Sequence, residues 1–170
     1  MIRAALFQGP ATAGAVDANV AAIAVAARGA AAAGADILIT PEMSATGYNI
    51  GPLSAERAEP ADGPLFDTIA EIARTNGLAI VYGYPEVGEA GNYNTVGVVS
   101  RDGELIGHHR KTHLYGDLDR GLFVAGNVLA SQFTLNGLVC GLAICYDIEF
   151  PEVARAHAES GTAILFVPTG

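Results

Sequence analysis

The chain has 170 residues, 51% of them hydrophobic and 16% charged, which is enough apolar material for one domain with a buried core. The formal net charge of −9 argues against a nucleic-acid or anionic-membrane partner, because such partners attract a basic surface. No run approaches the roughly 20 apolar residues of a membrane span. The two cysteines are too few for a disulfide framework and are expected to be thiols in a reducing cytoplasm.

The first half of the chain predicts two strand–helix units. Gly34 closes an Ala-rich helix, and Pro64 stands where the first turn of a helix tolerates proline. The segment "ADILIT" is nearly all apolar, as is typical of a strand buried on both faces. The predicted elements are a strand over 2–8, a helix over 17–34, a strand over 35–40, a loop over 41–63 and a helix over 64–76.

The second half predicts strands joined by tight turns, then a last helix and strand. Arg101-Asp102-Gly103 and Asn136-Gly137 are hairpin signals. The predicted strands are 78–84, 93–100, 103–110, 128–135, 138–144 and 163–167, with a helix over 150–160. Strand–helix units on both sides of a block of hairpins predict a single α/β or α+β domain built as a sheet sandwich, not a doubly wound fold.

The stretch "VCGLAICYDIEFPE" (139–152) is apolar as far as Cys145 and then changes abruptly to acids and a proline. A thiol at the end of a strand, before a helix that opens near Phe150, lies close to helix N-terminal amides that favour the thiolate. The alternative is that cysteine is usually buried and only packs, which is the interpretation for Cys140 inside the strand. On position alone, both alternatives stay open for Cys145.

Two further charged residues follow predicted strands. Lys111 is the only lysine of the chain, beside eight arginines, so its position could need a compact ammonium that arginine cannot supply. Glu42 follows the strand over 35–40, where α/β sites are commonly built. The alternatives are a solvated surface lysine and an ordinary loop acid.

Together, strand–PE, strand–RKTHL and strand–CYDIEFPE resemble, in order, the three motifs of the nitrilase, or carbon–nitrogen hydrolase, superfamily. The resemblance runs from "RAALFQ" to "LFVPT". It implies an α-β-β-α sandwich with Glu42 as general base, Lys111 stabilising the oxyanion and Cys145 as nucleophile. A backbone N–H near Tyr146 would assist Lys111. Family chains are usually longer, so residues 1–170 are expected to be the N-terminal two-thirds of the family domain, lacking its C-terminal part.

The resemblance also suggests three residues around this set. Asp119 stands where many relatives carry a second glutamate and is the expected auxiliary acid, one methylene group shorter. Tyr48 and Glu149 are the expected substrate contacts. Some relatives that take carboxylate substrates carry arginine at the position of Glu149, so an acid there suits a neutral or amine-bearing substrate. Alternatively, Glu149 interacts only with a helix N-terminus.

The histidines are not expected to form a metal site. His109 and His113 are four apart, a metal spacing on a helix, but they lie on a strand and a loop without an evident third ligand. The segment "HHR" is expected on the strand surface, with His113 supporting the loop that holds Lys111. A protease-like pair of Cys145 with one of the four histidines is the less favoured alternative; these are His108, His109, His113 and His157. No cofactor is expected.

The sequence "CYD" resembles the amidase and carbamoylase branches more than true nitrilases. The predicted reaction is hydrolysis of a small aliphatic amide, releasing ammonia through a cysteine thioester. The alternatives are an N-carbamoyl hydrolase, a true nitrilase and a non-catalytic or incomplete module of the same fold. The resemblance implies a homodimer or a higher homo-oligomer, and a small-molecule amide as the binding partner.

Overall fold

Two β-sheets form the centre of the protein, whose computed structural model describes residues 1–9 and 11–170. The first sheet has five strands in sequential order: β1 Ala4–Leu6, β2 Ile37–Ile39, β3 Ala79–Gly88, β4 Gly91–Val99 and β5 Leu105–Arg110. Strands β1 to β3 are parallel, whereas β3, β4 and β5 are antiparallel. The second sheet contains β6 Ser131–Leu135, β7 Leu138–Leu142 and β8 Ile164–Phe166.

Helices cover the outer faces of the two sheets. The helices are α1 Val16–Ala32, α2 Leu53–Glu56, α3 Pro64–Asn76, α4 Gly116–Arg120 and α5 Pro151–Glu159, and a 3₁₀-helix spans Cys145–Glu149. One apolar cluster joins α1 and α3 to the first sheet, for example through Ile23, Ile69 and Ile80. Helix α5 contacts the second sheet through His157, whose Nε2 lies 3.1 Å from the Leu142 carbonyl oxygen.

A second apolar cluster lies between the two sheets and includes Val81, Val96, Phe133, Cys140 and Leu142. The layers are therefore helix, sheet, sheet and helix, which confirms the predicted α-β-β-α sandwich. Cys140 is fully buried in this interface, as expected of a core residue. Among the described residues, no helix has both the length and the apolar composition to cross a bilayer.

The elements depart from the predictions mainly at their ends and in the loops. Strand β1 is much shorter than the predicted 2–8, and α2 lies inside the predicted loop 41–63. Helix α4 follows Lys111 where no element was predicted, and its five residues are too few to show a helical period. The side chain of Asp119 closes this turn by accepting the Tyr115 N–H at 2.9 Å.

Candidate active site

Glu42, Lys111 and Cys145 lie just beyond the carboxyl ends of β2, β5 and β7. The structure brings the first two into direct contact: Lys111 Nζ lies 2.7 Å from Glu42 Oε1, and both side chains are fully buried. Cys145 is half-buried and close enough to feel both charges, of which that of Glu42 has the larger effect on its thiol. Two sheets therefore contribute to one site at their common edge.

The Lys111 ammonium lies between two carboxylates. Its Nζ donates to Glu42 Oε1 and to Asp119 Oδ2, each at 2.7 Å. Burial alone would lower the pKa of Lys111, but the two carboxylates outweigh it and raise the pKa above its ordinary value. Lys111 is therefore a permanently charged donor, suited to a developing negative oxygen.

Glu42 is held by partners on three sides. Its Oε1 accepts hydrogen bonds from Lys111 and from Asn94 Nδ2, the latter at 2.6 Å, and its Oε2 accepts the Gly170 N–H at 3.1 Å. The Asn94 backbone carbonyl oxygen also accepts the Lys111 backbone N–H at 2.8 Å. Asn94 was not identified from the sequence. In the structure, Asn94 is a fully buried amide within β4, on the same face as Val96. The one sequence signal for it is a polar amide inside a mostly apolar strand.

Cys145 makes a sharp turn after β7 as the first residue of the 3₁₀-helix, with a φ of 45° in the left-handed region that non-glycine residues seldom adopt. Such backbone strain persists only where the surroundings fix it, and it is frequent at functional sites. The Cys145 N–H donates to the Pro168 carbonyl oxygen at 2.9 Å, which ties this turn to the segment after β8.

The pKa of the Cys145 thiol is raised, so the expectation that helix amides favour the thiolate is wrong. Burial raises the pKa most, the negative charge of Glu42 raises it further, and Lys111 offsets only part of this. Helix α5 begins only at Pro151, so its N-terminus is not at the thiol. The resting thiol is protonated, and a neighbouring base is needed to activate it.

Asp119 and Tyr48 complete the polar network. Asp119 is fully buried, and Tyr48 donates its hydroxyl hydrogen to Asp119 Oδ1 at 2.9 Å. Burial, together with the charges of Glu42 and Asp119, raises the pKa of Tyr48, so the phenol remains a donor. The ring of Tyr48 also lies 5.5 Å from Lys111 Nζ, measured to its centroid. The predicted auxiliary acid thus contacts the ammonium directly.

Cys145 lines a cavity of about 520 Å³. Three tyrosines contribute to it, namely Tyr48, Tyr115 and Tyr146. Among the described residues that line the cavity, Glu149 is the one acid, and none is a lysine or arginine. Glu149 and Tyr48 therefore both line the space beside the thiol, and their contact with substrate stays a prediction.

His109 and His113 both bond to Asp147, and the position of His109 corrects the expectation that the segment "HHR" lies on the strand surface. His109 is fully buried and not on the strand surface: its ring lies 3.1 Å from Asp147 Oδ2 and 3.0 Å from Ser131 Oγ. The His113 N–H donates to Asp147 Oδ1 at 2.8 Å, and its ring stacks on Phe150.

The other two histidines bond elsewhere, His108 to Glu86 and His157 to Thr162, so the hydrogen bonds of the four rings favour no pair with Cys145. Within residues 1–9 and 11–170, no group of three or more His, Cys, Asp or Glu side chains is arranged to hold a metal ion.

Comparison with known proteins gives a consistent family. The profile of the family described as "Carbon-nitrogen hydrolase" matches residues 3–170. A protein of Pseudomonas protegens described as "Hydrolase in pqqF 5'region" is 48% identical over 138 residues, which cover 79% of this chain and 48% of that protein. The 2-oxoglutaramate amidase of Bacillus subtilis is 33% identical over 134 residues, covering 78% and 51% of the two chains.

The fold is also similar to that of a solved amidase from Nesterenkonia sp. AN1, whose cysteine-to-alanine variant is described in complex with butyramide. The TM-score is 0.92 and the identity 31%, over 99% of this chain and 65% of that one. Another variant of the same amidase is described as carrying acrylamide added to its active-site cysteine. The chain spans about half the length of the curated relatives and about two-thirds of the solved one.

Proposed function

The chain belongs to the carbon–nitrogen hydrolase family, and we propose that the protein hydrolyses a small aliphatic amide to a carboxylic acid and ammonia through a thioester on Cys145. The observation that carries this proposal is the contact between Glu42 and Lys111 beside a thiol of raised pKa. A protonated thiol, a buried carboxylate and an ammonium are the nucleophile, base and oxyanion donor that acyl transfer requires.

In the proposed first half-reaction, Glu42 accepts the Cys145 thiol proton while the sulfur attacks the amide carbon. The carbonyl oxygen becomes an oxyanion, stabilised by the Lys111 ammonium and the backbone N–H of Tyr146. The C–N bond then breaks, and Glu42 returns the proton to the nitrogen, which leaves as ammonia. The product of this half-reaction is the thioester on Cys145.

In the second half-reaction, Glu42 accepts a proton from a water molecule that attacks the thioester carbon. Collapse of the second tetrahedral species breaks the C–S bond, and the proton returns to sulfur. A carboxylic acid and the resting thiol remain, so atoms and protons balance over the cycle. In this scheme Asp119 keeps Lys111 charged and oriented.

The substrate class follows from the cavity at Cys145. Glu149 is the one acid that lines this cavity, and no lysine or arginine lines it. The Lys111 ammonium beyond it is already paired with Glu42 and Asp119, so the cavity suits a neutral or amine-bearing amide better than an anionic one. We expect butyramide and amino-acid amides to react faster than 2-oxoglutaramate, which carries a carboxylate.

Ammonia release by the native full-length protein tests the proposal, with simple amides, amino-acid amides, 2-oxoglutaramate, a nitrile and an N-carbamoyl compound as substrates. Cys145→Ala is expected to abolish turnover, whereas the matched control Cys140→Ala retains it. Lys111→Arg is expected to lower kcat by about 10²–10³, since a planar guanidinium does not replace the compact ammonium.

Unchanged turnover in Cys145→Ala would discard the mechanism. Faster turnover of the nitrile or the carbamoyl compound than of every amide would reassign the reaction within the family. Faster turnover of 2-oxoglutaramate than of the neutral amides would reject the role of Glu149. The homo-oligomer and the cytoplasmic location inferred from the sequence stay predictions.

A further inference from the structure

Asp147 is a fully buried carboxylate that joins two segments of the site. Its Oδ1 accepts the backbone N–H groups of Thr112 at 3.0 Å and His113 at 2.8 Å, which directly follow Lys111 in the chain. Its Oδ2 accepts the Ile144 N–H at 2.9 Å, and Ile144 directly precedes Cys145. One side chain therefore fixes backbone atoms next to both Lys111 and Cys145.

We propose that Asp147 is a positioning residue that holds the Lys111 loop and the Cys145 turn at a fixed separation, an inference that rests on the proposed function. The two segments come from different sheets, since Lys111 follows β5 and Cys145 follows β7. The carboxylate is thus a cross-link between the sheets at the edge where the reaction takes place, although Asp147 touches no reacting atom.

The bonds to Asp147 are strong enough for this role. Burial alone would raise its pKa, but hydrogen bonds from His109 and from the Ile144 and His113 N–H groups lower the pKa to about 2, so the acceptor is ionised at neutral pH. Hydrogen bonds to an ionised group are roughly twice as strong as neutral ones. The left-handed Cys145 backbone requires such support, because strained residues relax when their surroundings loosen.

His109 extends the cross-link into both sheets. Because Asp147 is ionised, the His109 Nε2–H donates to Asp147 Oδ2, and Nδ1 on the other side of the ring lies 3.0 Å from Ser131 Oγ. His109 belongs to β5 and Ser131 to β6, so the chain from Ser131 to Asp147 crosses between the sheets twice. The Thr112 hydroxyl adds a further donor to Asp147 Oδ1 at 2.9 Å.

Asp147→Asn tests the proposal with little change in volume. An asparagine keeps one oxygen towards Thr112 and His113 and turns its NH₂ group towards Ile144, whose N–H then lacks an acceptor. The loss therefore falls on the Cys145 turn, which Ile144 directly precedes. Because a displacement of about 1 Å can cost about 10² in rate, we expect kcat to fall about 10²-fold with KM within about threefold of the wild type.

Thiol alkylation by iodoacetamide gives a second measurement that does not need amide turnover. Loosening the turn exposes the half-buried Cys145, so its alkylation rate constant should rise at least about fivefold in Asp147→Asn, while that of Cys140 stays within about twofold. A slower enzyme with a more accessible nucleophile is the expected signature of lost positioning. Exposure of both thiols would show that the core has opened and would overturn the proposal.

A double variant separates positioning from general stability. If Asp147 acts by fixing the Cys145 turn relative to the Lys111 ammonium, Lys111→Ala with Asp147→Asn should be about as slow as Lys111→Ala alone, because residues that act as a unit are not additive. Independent, multiplicative losses would contradict the proposal. If Asp147→Asn does not fold, Thr112→Val removes one donor, and unchanged kcat and Cys145 alkylation in that variant overturn the proposal.

A failure of the proposed function can be distinguished from a failure of the positioning role. If the wild type released no ammonia from any compound of the panel, Cys145 alkylation would still judge the role of Asp147. If Cys145→Ala were inactive and Asp147→Asn retained the wild-type kcat and alkylation rates, the positioning role alone would be wrong.

Discussion

Lys111 shows why residue type matters at the centre of the site. Its Nζ contacts two carboxylate oxygens at 2.7 Å in a fully buried position, and a single tetrahedral ammonium can point its donors at both. The planar, longer guanidinium of arginine does not fit this arrangement without moving a carboxylate. Lys111 is the only lysine of the chain, and the other eight Lys or Arg positions are all arginine.

At the residue scale, Asn94→Asp is expected to shift the pH dependence of the reaction. The new carboxylate lies about where the Asn94 amide is now, 2.6 Å from Glu42 Oε1, and two like charges so close favour a shared proton. The apparent pKa on the acidic limb of the kcat/KM profile should therefore rise by at least about one unit. Asn92→Asp adds the same charge on β4 without a Glu42 contact and is the matched control. Identical profiles for the two variants would refute the effect.

The sequence predicted the most distinctive residues of the site but not those that hold them. Glu42, Lys111 and Asp119 follow from motif resemblance, and the structure places them in one network, whereas their catalytic roles remain proposals. Asn94 lies within an apolar strand and Asp147 next to an obvious nucleophile candidate, so neither has a spacing signal of its own. Their partners, Glu42 and Thr112, are 52 and 35 residues away.

At the scale of elements, Gly83 allows β3 to pass close to the loop that carries Glu42. The Gly83 N–H donates to Ser44 Oγ at 3.1 Å, and the Gly83 carbonyl oxygen accepts the Ala45 N–H at 3.0 Å. A methyl group at Gly83 would lie 2.9 Å from the Pro41 carbonyl oxygen and would also clash with the Met43 nitrogen. The strand and the loop therefore pack backbone against backbone.

Gly83→Ala is expected to lower kcat at least about tenfold and the free energy of unfolding by about 1–3 kcal/mol, because the loop with Glu42 must move away from β3. In the matched control Gly29→Ala, the new methyl group on α1 meets nothing within 4 Å, and stability should rise by about 0.5–1 kcal/mol with kcat unchanged. Steady-state kinetics and urea unfolding measure both effects. A Gly83→Ala enzyme with the wild-type kcat would contradict the packing argument.

The order of strands and helices could be predicted where local chemistry decides it. Hairpin turns, the glycine at the end of α3 and proline at the starts of α3 and α5 are local signals, and the corresponding elements are present. The ends of β1 and the existence of α4 depend on tertiary contacts, such as the Asp119 bond to Tyr48, which have no local pattern. The 3₁₀-helix at Cys145 is likewise fixed by long-range bonds, from the Thr112 and His113 N–H groups to Asp147.

At the scale of the whole molecule, two buried acids couple stability to pH. Hydrogen bonds from His108, Arg110 and Thr95 outweigh burial and lower the pKa of Glu86 to about 2, and the pKa of Asp147 is also about 2. Because these native pKa values are lowered, the unfolded chain binds more protons than the folded one at acidic pH. The contribution of the two acids to the free energy of unfolding is therefore complete above their pKa values in the unfolded chain, near 4, and is lost as the pH falls towards 2.

The free energy of unfolding is therefore expected to fall by about 3 kcal/mol between pH 6 and pH 3 through these two groups, of which about 2 kcal/mol belongs to Glu86. Urea unfolding at the two pH values measures the difference. Glu86→Gln cannot ionise, so its pH dependence should be smaller by about that 2 kcal/mol. Parallel pH dependence in the wild type and Glu86→Gln would exclude the contribution.

The distances along the chain between the residues of the site have a kinetic consequence. The Lys111–Glu42 pair closes a separation of 69 residues, and Asp147 binds Thr112 across 35 and His109 across 38. Contacts of this kind form only after large loops have closed, at a cost in chain entropy that slows folding. No single hairpin or strand–helix unit contains more than one of Glu42, Lys111 and Cys145, which follow β2, β5 and β7. Recovery of catalysis during refolding should therefore lag behind recovery of secondary structure and report the meeting of the two sheets.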